Sequence, residues 1–238
     1  MELTERLIGW LARQEEPVYL VGGAMRDRLL GRPLYDLDVA VDGDGRALAR
    51  RLANHFGGAY YTLDEERSVG RAILDETPAC RLVVDVARLR GADLAADLAD
   101  RDWTINAMAA PAGDPGAVVD LHGGQADLAA RVIRPVSDGT IRNDPLRALR
   151  AMRQAAELDF RLSRETEALL RRDGPQLVEV PGERVRDELA RLLVRPTAAG
   201  WLQRLDQLGL LAVIFPELEA ARGETQPEPH HLDVLAHS

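Results

Sequence analysis

In the segment VYLVGGAMRDRLLGRPLYDLDVAVDG, Asp36 and Asp38 stand one residue apart inside an apolar run. If DLDVAV is a strand, its alternation puts both carboxylates on one face at near-fixed separation, where they can hold a hard divalent cation. A D-x-D on a strand is by itself a weak signal, because two surface aspartates give the same pattern. The setting strengthens it. Gly22 and Gly23 close the strand-like VYLV just before a helical stretch that carries Arg26, which offers backbone N–H groups and a guanidinium where a triphosphate would lie. A tight strand-to-helix turn explains the glycines alone; it does not explain them together with Arg26 and the two aspartates.

The elements that must position these groups follow from periodicity. Residues 4–14 read as an amphipathic helix, 18–23 as a short buried strand ending in the glycine pair, and about 24–30 as a helix. A further helix is expected at 45–56 and strands at 59–62, 70–74 and 81–87, a mixed sheet with helices on one side. Beyond about residue 120 the strand signals vanish. Helical periodicity occupies 143–159, 163–172, 182–194, 197–208 and 210–220, bounded by Pro145, Gly174–Pro175, Pro181–Gly182, Pro196 and Pro216.

Composition limits the options. The 238 residues carry a net charge of −9, which argues against a protein that coats nucleic acid. Its distribution is uneven: six arginines against two acids between Arg131 and Arg153 make that stretch locally +4. All thirty basic residues are arginine, so any phosphate clamp here uses guanidinium forks. No apolar run is long enough to span a membrane and the N-terminus lacks a signal-peptide core, so a cytoplasmic location is expected. The single cysteine, Cys80, reads as a buried thiol.

The segment from Val18 to Val41 resembles the first motif of the class II tRNA nucleotidyltransferase and bacterial poly(A) polymerase family. Further segments resemble its later motifs in order: DRDWTINAMAA at 100–110, VVDLHGGQADLAARVIRPV at 118–136, NDPLRALRAMRQAAELDF at 143–160, and GERVRDELARLL with LDQLGLLAVIFPEL across 182–218. The resemblance implies an α+β fold, with a polymerase β-like nucleotidyltransferase head over 1–137. A helical neck over 138–195 and a helical body over 196–222 would follow. It further implies template-independent transfer of CMP or AMP from CTP or ATP to the 3′ end of tRNA, with Mg²⁺ as cofactor.

Carried over position by position, the resemblance makes Asp36 and Asp38 the metal ligands and brings Gly22, Gly23 and Arg26 to the phosphates. Asp85, in LVVDVARL, falls where the wider superfamily often has a third carboxylate; a surface aspartate near a strand end is the alternative. Arg101 would contact the nucleotide, while Asp102 and Asn106 brace the local loop and sugar side. An ordinary helix start capped by Asp102 or Thr104, with Trp103 in the core, reads the same segment. Asp144, Arg147, Arg150 and Arg153 recur at intervals of three, expected on one helix, where Asp144 and Arg147 would be neighbours able to read a base edge. The alternative is a solvated helix face with an Asp–Arg pair. The family pattern usually has glutamate where this chain has Asn143.

Poly(A) polymerase shares nearly all these motifs, and a non-catalytic RNA- or nucleotide-binding module of the same fold is the reading from another class. The connection from Asp38 to Arg101 is compact, which leans toward a CC-adding specialist. Arg171, Arg172, Arg184, Arg186, Arg191 and Arg195 are candidates for gripping RNA, but seven acids interleave with the basic residues between 161 and 195 and a salt-bridged surface explains them equally well. The polar end, with Gln226, His230, His231, Asp233 and His237, resembles the opening of an HD phosphohydrolase domain. It lacks the further ligands, so no phosphohydrolase activity is expected.

Overall fold

The computed structural model describes residues 3–77 and 80–225. The polar end and the Cys80 side chain, with the expectations placed on them, lie outside the described residues. Among the described residues, no helix is long and apolar enough to cross a membrane. The chain divides into two compact units, 1–130 and 131–238.

The first unit runs α1 (Leu3–Leu11), β1 (Val18–Val21), α2 (Gly22–Leu29), β2 (Asp36–Val41), α3 (Gly45–Phe56), β3 (Ala59–Asp64), β4 (Val69–Thr77), β5 (Cys80–Arg88), α4 (Leu94–Ala99), a 3-10 turn (Thr104–Asn106), β6 (Met108–Pro111), β7 (Val119–Asp120) and α5 (Gly124–Ala130). Its seven strands form one sheet in the order β3-β4-β5-β2-β1-β6-β7. The sheet is mixed, because β2 and β5 run parallel while the other neighbours are antiparallel. β2 is therefore the central strand, braced from both sides.

α3 shows how the sequence builds this layer. Asp44 caps it by accepting from the amides of Arg46 and Ala47, and Gly57 ends it in the left-handed region at φ 70°. Its apolar stripe, Leu48, Ala49, Leu52 and Ala53, is buried, and the helix packs across β3, β4 and β5. Gly45 is required by close approach: a Cβ there would run into the carbonyl oxygens of Ser68 and Val86.

Two strands escape the periodicity argument. β6 and β7 are short and alanine-rich or polar, and they exist because the free edge of β1 needs a partner: Leu20 pairs with Ala110, and Met108 with Asp120.

The second unit contains β8 (Val132–Ile133), α6 (Thr140–Asn143), α7 (Arg147–Leu158), β9 (Arg161–Leu162), α8 (Arg164–Asp173), a 3-10 stretch (Gly174–Glu179), α9 (Gly182–Leu193), α10 (Ala198–Gln207), α11 (Leu210–Ile214) and a second 3-10 stretch (Pro216–Ala221). Two expectations are corrected here. Strands do occur beyond residue 120, since β8 pairs in parallel with β9; this pairing puts residues 132–133 in the second unit. The expected helix at 143–159 is broken: Asp144 is extended at φ −152°, ψ 100°, because a residue before proline is kept out of the helical region, and α7 starts only at Arg147.

The α3 cap gives a stability test. Asp44 takes the Ser68 hydroxyl and two amides, which hold its carboxyl below the usual range. A depressed folded-state pKa contributes stability that is present above the unfolded value and lost as pH falls through the folded one. Asp44→Ala is expected to cost about 1 kcal/mol at neutral pH. Chemical denaturation across a pH series should show that difference closing on acidification below the ordinary carboxylate range.

Candidate active site

Asp36 and Asp38 lie on one face of β2, as their spacing required. The register carries that face across the sheet: Asp38 pairs with Asp85 on β5 and Val21 on β1, and Asp85 pairs with Arg71 on β4. Asp36 is exposed and Asp38 half-buried. Residue pairs opposite one another in a sheet share a face, so the carboxylates of Asp38 and Asp85 are neighbours.

The glycine turn wraps Asp38. The Gly23 amide donates to Asp38 Oδ2 at 2.9 Å. Gly22 has φ 63°, and a Cβ on it would lie 3.0 Å from both Asp38 Oδ2 and Arg101 Nη1. Glycine is thus demanded twice, by backbone angle and by the guanidinium and carboxylate that meet there. α2 begins at Gly22, two residues earlier than periodicity suggests, so both glycines belong to its first turn.

Each cation near Asp38 is itself held. Arg101 donates through Nε and Nη2 to Asp97 Oδ2 at 2.9 and 2.7 Å, and Asp97 is almost fully buried. The other Asp97 oxygen accepts from the Arg90 amide. Arg26 donates to both oxygens of Asp27 and, through Nη1, to Asn106 Oδ1 at 2.9 Å. Asn106 in turn donates to Asp102, which also accepts from the Trp103 amide, and Trp103 is fully buried. The segment 102–106 thus serves as both core and brace.

Burial pushes the Asp38 carboxyl above the ordinary carboxylate range. Arg101 opposes that shift, the Asp85 charge adds to it, and the Gly23 amide and Arg26 oppose it further. Asp85 is neutralised separately: Arg71 donates Nε and Nη2 to its two oxygens at 2.7 and 2.8 Å, a bidentate fork.

The donor set fits a hard divalent cation. Among the described residues, no three His, Cys, Asp or Glu side chains converge into a metal cage. Mg²⁺ commonly takes one or two carboxylates and completes its shell with water and substrate phosphates, a demand that half-buried Asp38 and exposed Asp36 can meet. With both oxygens engaged by Arg71, Asp85 acts on this pair as a neighbouring charge.

Arg71 and Asp97 escaped the sequence argument. The i, i+4 spacing of Asp97 and Arg101 was a usable signal. Nothing local marks Arg71, which meets Asp85 only through the strand pairing.

In the second unit the arginine series divides. Asp144 lies in the link before α7 and accepts from the Leu146 amide and from Arg184 Nη2, both at 3.3 Å. It is therefore not the helical neighbour of Arg147 that the spacing suggested. Arg147 is buried and donates to the Thr140 carbonyl at 3.3 Å, and Arg150 is half-buried and also engaged. Arg153 is buried between Glu188 and Glu157. Asn143 is exposed at the end of α6.

Residues 18–134 match the family model for the poly(A) polymerase head domain, and 159–222 match that for the probable RNA and SrmB-binding site of polymerase A. The chain is 45% identical over 198 residues to a CC-adding tRNA nucleotidyltransferase of Geobacter sulfurreducens, covering 83% of this chain and 45% of that protein. It is 44% identical over 223 residues to an A-adding tRNA nucleotidyltransferase of Deinococcus radiodurans, covering 92% and 49%. Its fold superposes on a Thermotoga maritima CCA-adding enzyme complexed with tRNA at a TM-score of 0.78 and 30% identity, covering 94% of this chain and 53% of that one. The chain spans about half the length of the curated relatives it matches. With its motifs in order and both family models matched, the chain belongs to the family of tRNA nucleotidyltransferases and bacterial poly(A) polymerases.

Proposed function

We propose that this chain carries the nucleotidyl-transfer centre of an enzyme that adds CMP, AMP or both, from CTP and ATP, to the 3′ end of tRNA in the cytoplasm. The observation that carries the reading is the pairing of Asp36 and Asp38 on one open strand face with a glycine turn that brings the Gly23 amide, Arg101 and Arg26 around Asp38.

In this reading Asp36 and Asp38 hold Mg²⁺, which when bound neutralises the triphosphate and favours ionisation of the attacking RNA 3′ hydroxyl. The chain's own groups do the positioning. Gly22 and Gly23 let the backbone approach the phosphates, and Arg101 and Arg26 present guanidinium donors already fixed by Asp97 and by Asp27 with Asn106. Asp85 stays paired with Arg71, which offsets its charge in part, and it still acts on Asp38 as a like charge. Asp144 is the acceptor suited to an exocyclic amine of cytosine or adenine, with Arg147 and Arg150 supporting the same strand of chain. Arg153, tied to two glutamates, holds α7 to α9.

The choice between CC, A and full CCA addition is the finer part of the proposal. The Asp38-to-Arg101 connection contains α3, three strands and α4, and among the described residues the stretch 89–93 is its longest irregular link. That economy supports CC addition; the similarities to CC-adding and A-adding relatives are nearly equal and favour neither. Poly(A) polymerase is the second reading, favoured by the descriptions of both matching family models.

Incorporation of labelled CTP and ATP, singly and together, into tRNA transcripts ending before CCA, after C and after CC tests this directly. Addition should stop at a fixed end and fall by about 10²–10³-fold or more in Asp36→Ala. Long A tails on an unrelated oligoribonucleotide would support poly(A) polymerase, and metal-independent RNA binding without incorporation would support the non-catalytic module.

The buried Asp97–Arg101 pair gives a second test. Asp97→Asn and Arg101→Gln should each raise KM for the nucleotide by about tenfold, or about 1.4 kcal/mol. The double variant should resemble either single one, because both remove the same positioned guanidinium. Full additivity in steady-state kinetics would separate Asp97 from nucleotide binding.

A further inference from the structure

Guanidinium groups in this protein are mostly committed to carboxylates. Five of the six candidate RNA-gripping arginines show it: Arg171 pairs with Glu167, Arg172 with Asp138 and Asp173, Arg184 with Asp144, Arg186 with Asp187 and Arg195 with Glu157. An arginine already paired must break that contact before it can neutralise a phosphate.

Arg28 and Arg32 differ. Both are exposed, and neither has an acidic or aromatic partner among the described residues. They lie between Gly23 and Asp36, on the one segment that joins the glycine turn to the carboxylate strand. Their placement is fixed by the end of α2: the Arg32 amide donates to the Asp27 carbonyl at 2.9 Å, the Gly31 amide to the Arg28 carbonyl at 3.0 Å, and Gly31 takes φ 65°. This double closure with a left-handed glycine is a Schellman turn, and it folds Arg32 back beside the last turn that carries Arg28.

Tyr35 follows, 59% exposed, next to Asp36 and held at its carbonyl by the Val83 amide. Four residues from Arg32 to Asp36 span at most about 14 Å, so this surface lies within a few nucleotides of the reacting end. Arg6, Arg13, Arg50, Arg88, Arg161, Arg164 and Arg191 are also exposed without a carboxylate partner among the described residues, but none lies on the segment that joins the two halves of the carboxylate site.

We propose that Arg28, Arg32 and Tyr35 form the surface that receives the single-stranded 3′ end of the RNA substrate, with the two guanidiniums on successive phosphates and the tyrosine ring against a base. The inference rests on the nucleotidyltransferase reading above. The chemistry of the partner follows from the groups: two forked, always-charged donors suit phosphate oxygens, and an exposed ring beside them suits an unstacked base rather than a duplex. The net charge of −9 makes the local exception matter, since most of the surface repels a polyanion.

The test is fluorescence anisotropy of the 238-residue chain with a labelled oligoribonucleotide of about 12 nucleotides ending in CC, at several salt concentrations. Arg28→Ala with Arg32→Ala should weaken binding about tenfold at low salt and flatten the log–log salt slope by about 1.4, two single-strand contacts of about 0.7 each. Tyr35→Ala should weaken binding and leave the slope in place. CTP binding should be unchanged in both variants, and Arg13→Ala, which removes a charge without a carboxylate partner among the described residues elsewhere on the same unit, should change neither affinity nor slope. If the unmodified chain binds the RNA and the double arginine variant keeps both affinity and slope, this surface is excluded while the catalytic reading stands. Equal losses with Arg13→Ala would also overturn it, and no RNA binding by the unmodified chain would overturn both.

Discussion

The site depends on keeping one carboxylate charged in a place that opposes charge. Asp38 is enclosed by the glycine turn and stands beside Asp85, so burial and a like charge both favour its protonated form. The compensation comes from three directions: the Gly23 amide, Arg101 and Arg26. Each compensating group is itself anchored, Arg101 by buried Asp97 and Arg26 by Asp27 and Asn106. A buried charge without such partners would cost several kcal/mol, which makes the surrounding shell obligatory rather than decorative. The glycines, the 97–106 segment and the central position of β2 all answer to that one requirement.

How much of this was legible depended on whether the deciding contact was local. The D-x-D alternation, the glycine turn and the helix at 45–56 lie within short windows, and the structure places them close to where the windows suggest. Contacts made through tertiary pairing were not legible. Arg71 reaches Asp85 only because β4 pairs with β5, and the short alanine-rich β6 becomes a strand only through its pairing with β1. The broken helix at Asp144 is an intermediate case. Pro145 marks the boundary in the sequence, and its exclusion of Asp144 from the helical region is what breaks the interval of three.

The second unit uses the same residue type for a different purpose. Arg153 is buried with Glu188 and Glu157, an arrangement in which desolvation offsets much of the attraction, so its contribution is to fix how α7 meets α9 more than to add stability. Its exposed pairs, such as Arg186 with Asp187, are worth little individually in water. An arginine-rich stretch that looks basic in sequence is therefore largely self-neutralised once folded, and the local +4 between Arg131 and Arg153 overstates the charge presented to a ligand.

The single hydrogen bond between the Gly23 amide and Asp38 Oδ2 joins the loop to the central strand, and it makes that amide a natural spectroscopic probe. A proton on the carboxylate, a cation drawing on its oxygens or a phosphate competing for the N–H would each alter the same bond. In a ¹H–¹⁵N spectrum the Gly23 resonance would therefore register the state of the Asp38 carboxylate without any label placed in the site.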